Sequence, residues 1–185
     1  GRVELGVGLG WQEEEYEASG IPFDQRVKTF WETLDICQSL WTGGPVSHKG
    51  EIFEFNDIWC HPTPPQGSDI PLLFGVKMTE FNAQKIAKIG HGWIPIKTSR
   101  DFISEGSEKL NHAFKEAGRD DKPRIRGQLP TCVDSNGVPS VELTLKELEK
   151  SMEAGLEEIE VFPINFAQSP DHLREVLELI GELKK

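Results

Sequence analysis

The sequence predicts an α/β fold in which parallel strands alternate with helices, as in an incomplete (β/α)8 barrel. After Pro71, four apolar runs alternate with four stretches of helical periodicity. The Gly-x-Gly-x-x-Gly turn of a dinucleotide-binding sheet is not met, because the glycines stand at Gly6, Gly8 and Gly10 and the next helix is expected only from about residue 24. With the opening run, we expect about five of the eight βα units of a closed barrel.

The first part of the chain predicts a strand, a helix and a hairpin. "RVELGVGLG" is apolar and β-branched up to its glycines, which indicates a strand that runs into a loop. Apolar residues then recur every three to four positions up to Trp41, with Asp24 as the expected N-cap and Gly43-Gly44 as the expected stop. Alternation around Lys49-Gly50 predicts a hairpin, and prolines follow it, so we expect an insertion over about 45–70.

The second part of the chain is expected to repeat strand and helix four times. Parallel strands need a crossover of a dozen or more residues, and a helix between strands supplies it. We expect residues 1–185 to form a single domain of this fold. The expected strands are "PLLFGV", "GWIPI", "RIRGQLPTCV" and "EEIEVFPI", and the expected helices cover 79–89, 102–117, 145–154 and 170–183.

Composition argues against several classes of partner. Acidic residues outnumber basic ones 31 to 20, a net charge of -11, whereas nucleic-acid binding favours a basic surface. No apolar run approaches the ~18 residues that a membrane helix needs, so we expect no membrane partner. Three separated cysteines without a Cys-x-x-Cys pair, and no cluster with ligand spacing, predict no metal site and a reduced, cytoplasmic location.

Several segments carry motifs that are informative in combination. In the opening segment the positions that carry the motif are Gly6, Gly8, Gly10, Trp11, Glu15, Gly20, Pro22, Phe23 and Arg26. Further along the chain, "LWTGGPVSHKGEIFEFNDIWCHPTPPQ" looks like a helix end with a hairpin, and "PLLFGVKMTEFNAQKIAKIGHGWIPI" looks like a strand, a phosphate loop and a Gly-Trp strand. Together these motifs resemble the bacterial-luciferase-like monooxygenase family, especially its branch that uses coenzyme F420.

The resemblance implies a (β/α)8 TIM-barrel type fold of which this chain is the C-terminal portion. Its strands would be strands 4 to 8, and the first three βα units of the family have no counterpart here. The resemblance also implies an oxidoreductase that binds coenzyme F420, or alternatively FMN, and transfers hydride to or from a small organic substrate. FMN-dependent members are monooxygenases. A homodimer or a completing subunit is the expected assembly.

The opening glycines are the candidates for contact with the cofactor ring. A glycine at the carboxyl end of a barrel strand lets the backbone approach a flat ring without a Cβ between them. Gly8 and Gly10 fit this role, and Trp11 would stack on the ring or form a wall of the pocket. The alternative is a tight strand-to-loop bend with Trp11 in the core.

The segment "GVKMTEFN" is the candidate phosphate site. Thr79 is a plausible N-cap, so that free backbone N–H groups and the positive end of the helix dipole meet beside Lys77. The family usually has Gly-Gly where this chain has Gly75 and Val76, and the Val76 Cβ is expected to narrow the loop. The alternative is an ordinary helix cap beside a solvated lysine.

The next strand adds Gly92 and Trp93, which the resemblance places near the cofactor tail. Core packing is the alternative for Trp93. Arg124 and Arg126 alternate on one side of a strand, and present guanidinium groups either to the barrel mouth or to a surface edge.

The catalytic residues stay unassigned at this stage. The five histidines stand in insertion, loop or helix positions, and Trp11 occupies the position where some relatives have a catalytic glutamate. The alternatives to an enzyme are a non-catalytic flavin- or deazaflavin-binding module and an inactive fragment. An unrelated phosphate-binding isomerase or aldolase barrel is less favoured, because no lysine or carboxylate is evident at a strand end.

Overall fold

The computed structural model describes residues 2–167 and 169–182, and the chain divides into two compact units, 1–72 and 73–185. The helices and strands of the first unit are β1 (Leu5–Gly8), α1 (Glu13–Ser19), α2 (Arg26–Trp41), β2 (Val46–Lys49) and β3 (Glu54–Ile58). β4 (Leu72–Gly75) starts at the boundary. The second unit continues with α3 (Glu80–Ile89), β5 (Gly92–Trp93), α4 (Arg100–Glu116), β6 (Arg124–Gln128), α5 (Val141–Glu153), β7 (Glu158–Glu160) and α6 (Pro170–Glu182).

In the first unit, helix α1 corrects the expectation that no helix precedes residue 24. Three consecutive glutamates occupy its first turn, where the helix dipole favours negative charge, and Gly20 ends it in the left-handed conformation. Asp24 is not the N-cap of the following helix. It lies in a 3₁₀ turn, Phe23–Gln25, and α2 begins after that turn at Arg26.

The predicted hairpin is present in the first unit. β2 and β3 pair antiparallel, with His48 opposite Phe55 and an irregularity of register between Val46 and His48. Helix α2 contacts the hairpin turn through Glu32, whose carboxylate accepts the backbone N–H of Phe53 at 2.8 Å. The start of β1 is held by a hydrogen bond from the Leu5 N–H to the carbonyl of Pro71 at 2.8 Å.

The second unit has the predicted parallel α/β arrangement, with strand order β4-β5-β6-β7. β5 is shorter than the expected "GWIPI", because Pro95 lacks the N–H that a strand ladder needs. β6 likewise ends two residues before Pro130, and β7 ends before a 3₁₀ turn that begins at Pro163. Parallel strands place their carboxyl ends, and the loops that follow them, at one edge of the sheet.

The core of the second unit lies between this sheet and its helices. Spacing of three to four residues brings the apolar faces of α3, α4 and α5 onto the strands. Among the described residues, no helix has both the length and the apolar character that crossing a bilayer requires. Fully or almost fully buried side chains include Leu73, Phe74, Ile86, Trp93, Ile103, Leu110, Phe114, Ile125 and Leu156.

Candidate functional site

A cavity of about 430 Å³ opens at the carboxyl ends of the strands in the second unit, and we call it the carboxyl-edge pocket. Ligand pockets typically measure about 300–1,000 Å³ and combine apolar walls with a few polar groups. This pocket combines the two about equally, since Lys97, Thr98, Gln128, Thr131 and Glu160 stand among five apolar side chains and Gly75. Its full lining is Gly75, Ile94, Pro95, Ile96, Lys97, Thr98, Gln128, Leu129, Pro130, Thr131 and Glu160.

A second cavity of about 430 Å³ lies beside the loop between β4 and α3, and we call it the loop pocket. Thr79 caps α3, because its Oγ1 accepts the Asn82 N–H at 3.2 Å. The Asn82 Nδ2 donates to the Lys77 carbonyl at 2.8 Å, which ties the loop to the first turn of the helix. The lining is Lys77, Met78, Thr79, Glu80, Trp93, Phe102, Glu105, Gly106 and Lys109.

The loop pocket carries balanced charge, with two lysines and two glutamates in its lining. Lys109 and Glu105 form an ion pair at 2.5 Å, one helical turn apart. The hydrogen bond and the charge of Lys109, with a smaller effect of Lys77, hold the pKa of Glu105 below its ordinary value. Lys109 is paired with Glu105. The groups that remain to attract an anion are therefore Lys77 and the start of α3.

The loop between β4 and α3 is joined to β5 by a hydrogen bond between Val76 and Trp93, and Gly92 precedes Trp93 in that strand. The Trp93 side chain is buried, and its Nε1–H donates to the Val76 carbonyl at 2.9 Å. A Cβ at Gly92 would come within 2.2 Å of the Arg124 carbonyl oxygen, so only glycine permits the close approach of β5 to β6. Val76 is buried and is not among the residues that line the carboxyl-edge pocket or the loop pocket, and the narrowing of the loop by its Cβ stays a prediction.

Gly8, Gly10 and Trp11 belong to the first unit. Gly8 ends β1, and Gly10 has a φ of 67°, a conformation that favours glycine. The Tyr16 hydroxyl donates to the Leu9 carbonyl, which holds the bend. The Trp11 side chain is 80% exposed, so the alternative of a core tryptophan is wrong. Contact of these residues with a cofactor stays a prediction.

Arg124 and Arg126 share one carboxylate on the neighbouring strand. The Arg124 Nε donates to the Glu158 Oε1 at 2.5 Å, and the Arg126 Nε donates to the Glu158 Oε2 at 2.7 Å. All three side chains are between 24% and 31% exposed. The two guanidinium groups are therefore half-buried partners of Glu158 and do not lie on an open surface edge.

Glu160 is one of the polar residues of the carboxyl-edge pocket, with Lys97 and Gln128, that sequence reasoning missed. It ends β7 and lines the carboxyl-edge pocket, so the expectation that no carboxylate stands at a strand end is wrong. The signal was the two-residue spacing of Glu158 and Glu160 in "EEIEVFPI", which places both on one side of the strand. Within residues 2–167 and 169–182, no group of three His, Cys, Asp or Glu side chains is arranged to hold a metal ion.

Comparison with known proteins gives matches over most of the chain. The sequence profile of the luciferase-like monooxygenases matches residues 1–145. An uncharacterised protein of Mycobacterium tuberculosis strain H37Rv is 38% identical over 126 residues, which is 68% of this chain and 44% of that protein. The chain thus spans less than half the length of this curated relative.

Solved structures show the same fold at low sequence identity. An F420-dependent secondary alcohol dehydrogenase, in complex with an F420–acetone adduct, has a TM-score of 0.71 at 19% identity, over 87% of this chain and 64% of that one. The oxygenating constituent of 3,6-diketocamphane monooxygenase of Pseudomonas putida, in complex with FMN, has a TM-score of 0.55 at 18% identity, over 71% and 40%. The neighbours are TIM-barrel enzymes, which confirms the predicted fold class.

Proposed function

Because this chain belongs to the luciferase-like monooxygenase family, we propose that it binds coenzyme F420, or alternatively FMN, and serves hydride transfer to or from a small organic substrate. The observation that carries the proposal is the carboxyl-edge pocket, which stands where barrel enzymes place their active sites. Family membership excludes the unrelated isomerase or aldolase barrel. The activity of a whole enzyme is part of the proposal, since the curated relative is more than twice as long as the aligned region.

The cofactor class is supported by the neighbours and by the chemistry of the pocket. One neighbour was solved with an F420 adduct and another with FMN, and we place F420 first because the opening motifs resemble that branch. A flat tricyclic ring packs against apolar side chains and against backbone that carries no side chain. Leu129 and Pro130 supply the apolar side chains, and Gly75 at the end of β4 lets the backbone contact the ring.

The phosphate of the cofactor would be held at the start of α3. Lys77 supplies a positive charge, and the first turn of the helix supplies N–H groups and the positive end of the helix dipole. Glu105 in the same lining is paired with Lys109, so Glu80 is the lining carboxylate left to oppose an anion beside Lys77. When bound, the cofactor supplies the hydride chemistry. The residues of this chain would orient the ring and keep water from it.

A non-catalytic binding module is the second candidate function. It is favoured by Trp11, which stands where some relatives have a catalytic glutamate and which is largely exposed in the first unit. A cofactor titration supports either function, and turnover of an alcohol such as 2-propanol with F420 separates them. The monooxygenase activity of FMN-dependent members is the corresponding alternative with FMN and oxygen.

The first test is a fluorescence titration of the folded chain with F420 and with FMN. We expect saturable binding, and we expect Lys77→Ala to weaken it about 10-fold, since a charge-assisted hydrogen bond contributes about 1.5–3 kcal/mol. Lys88→Ala is the control, because Lys88 is an exposed lysine at the other end of the same helix. Absence of binding by a chain with a normal circular dichroism spectrum contradicts the proposal.

A further inference from the structure

Strand β7 directs two carboxylates to the same side of the sheet, and the structure treats them differently. Glu158 and Glu160 are two residues apart, so their side chains point to one face. The register pairs Glu158 with Arg126 and Glu160 with Gln128. Glu158 is neutralised by Arg124 and Arg126, which donate at 2.5 and 2.7 Å. The carboxylate of Glu158 is therefore committed to the sheet.

Glu160 has no such partner in the described part of the chain. No nitrogen of a described Lys, Arg or His lies within 4.0 Å of its carboxylate. Its backbone is fixed, because the Leu129 N–H donates to the Glu160 carbonyl at 2.8 Å. Glu160 is exposed and lines the carboxyl-edge pocket, so its carboxylate is accessible to a ligand that enters the pocket.

The neighbours of Glu160 narrow the ligand chemistry. A carboxylate only accepts hydrogen bonds, whereas the amide of Gln128 both accepts and donates. The register sets Gln128 and Glu160 side by side on adjacent strands, so an acceptor stands beside a group that can also donate. Lys97 lines the same pocket and adds a donor. A ring edge with an N–H between two carbonyl groups satisfies this set.

We propose that Glu160 accepts a hydrogen bond from the imide N–H of the pyrimidinedione ring that flavins and deazaflavins share, with Gln128 donating to a neighbouring ring carbonyl. The inference rests on the proposed function and names the residue that orients the ring in the carboxyl-edge pocket. The charge-assisted bond to a carboxylate is stronger than a bond between neutral groups. Glu160 is thus a positioning and specificity-determining residue of this pocket.

The test compares two ligands, FMN and 3-methyl-FMN, whose only difference is a methyl group in place of the imide hydrogen. Both carry the same phosphate, so the ratio of their dissociation constants isolates the imide position. We expect wild type to prefer FMN by about 10-fold or more, and Glu160→Ala to reduce the preference to about 2-fold or less. Glu160→Gln, which keeps a neutral acceptor, is expected to fall between them.

Glu157→Ala is the matched control, because Glu157 is an exposed glutamate outside the pocket lining, three residues away. It should keep the preference of wild type for FMN. An equal preference in wild type and Glu160→Ala, or no preference in wild type, overturns the inference while cofactor binding stands. If folded wild type binds F420 but neither FMN nor 3-methyl-FMN, recognition of the ring edge that the two cofactors share is overturned while the proposed function stands. If it binds none of the three, the proposed function fails and the inference fails with it.

Discussion

In the first unit, Glu32 joins helix α2 to the hairpin turn through several hydrogen bonds. Its carboxylate accepts the backbone N–H groups of Glu51, Ile52 and Phe53 at 2.8–3.2 Å and contacts the His48 Nε2 at 3.0 Å. Burial raises the pKa of Glu32, but the hydrogen bonds from Phe53, His48 and Ile52 outweigh it and hold the pKa below its ordinary value of 4.5. The charged form is therefore the one that binds the hairpin.

The lowered pKa of Glu32 predicts a pH dependence of stability. A carboxyl group whose pKa is lower in the folded chain stabilises it above the ordinary pKa, and this contribution is lost as the pH falls through the lowered value. We expect Glu32→Gln to lower the midpoint of thermal unfolding by roughly 3–5 °C at pH 7, and by less near pH 3.5. Circular dichroism melts at both pH values measure this.

The control for this prediction is Glu14→Gln, which removes the charge of an exposed glutamate in α1. A loss of midpoint in Glu32→Gln that is equal at pH 7 and pH 3.5 would show that the charge of Glu32 does not bind the hairpin turn.

Among the helices, α3 and α5 begin with the same kind of cap but stand in different surroundings. Thr79 accepts the Asn82 N–H at 3.2 Å, and Ser140 accepts the Leu143 N–H at 3.3 Å. Thr79 lines the loop pocket, whereas Ser140 lines neither that pocket nor the carboxyl-edge pocket. Substitutions of Thr79 and of Ser140 should therefore affect stability alike, whereas only a substitution of Thr79 should affect ligand binding.

We expect Thr79→Ala and Ser140→Ala each to cost about 1 kcal/mol of unfolding free energy, the usual contribution of an N-cap. Urea unfolding measures this. Only Thr79→Ala should also weaken FMN binding, by about 3-fold or more, because it removes the cap and hydroxyl beside Lys77. If both variants weaken FMN binding equally, the start of α3 does not hold the phosphate.

The elements show how far the sequence pattern predicts structure. Five helices and the hairpin were predicted from periodicity, glycines and capping residues, and the structure contains them within a few residues of their expected ends. Helix α1 was missed because its seven residues are mostly acidic and give no apolar spacing. β5 was predicted too long because the apolar run "GWIPI" contains Pro95, whose missing N–H ends the ladder.

At the scale of the whole molecule, assembly is the open prediction. In the described part of the second unit, β7 pairs with β6 on one side only, and an edge strand has free backbone groups that favour further pairing. We propose a homodimer, with a completing subunit as the alternative. Light scattering after size exclusion should give about twice the chain mass of 20.8 kDa. A single-chain mass at all concentrations contradicts the homodimer.

The candidate site divides between residues that local pattern predicted and residues that it missed. The cap at Thr79 and the loop with Lys77 were predicted, since a cap is a contact between residues three apart. Glu160 was missed, because its place in the pocket beside Gln128 depends on the register of β7 with the adjacent strand. Their roles toward a cofactor, like those of Gly8, Gly10 and Trp11, stay predictions.

The sequence by itself determined the alternation of strands and helices, the hairpin, and membership in the luciferase-like family, because periodicity, caps and motifs are properties of neighbouring residues. Only the tertiary structure decided which carboxylate of β7 is neutralised. The ion pair of Glu158 with Arg124 joins residues 34 apart, and the Trp93 indole reaches a carbonyl 17 residues away. Such contacts follow from strand register and helix packing, which set distances that no local pattern encodes.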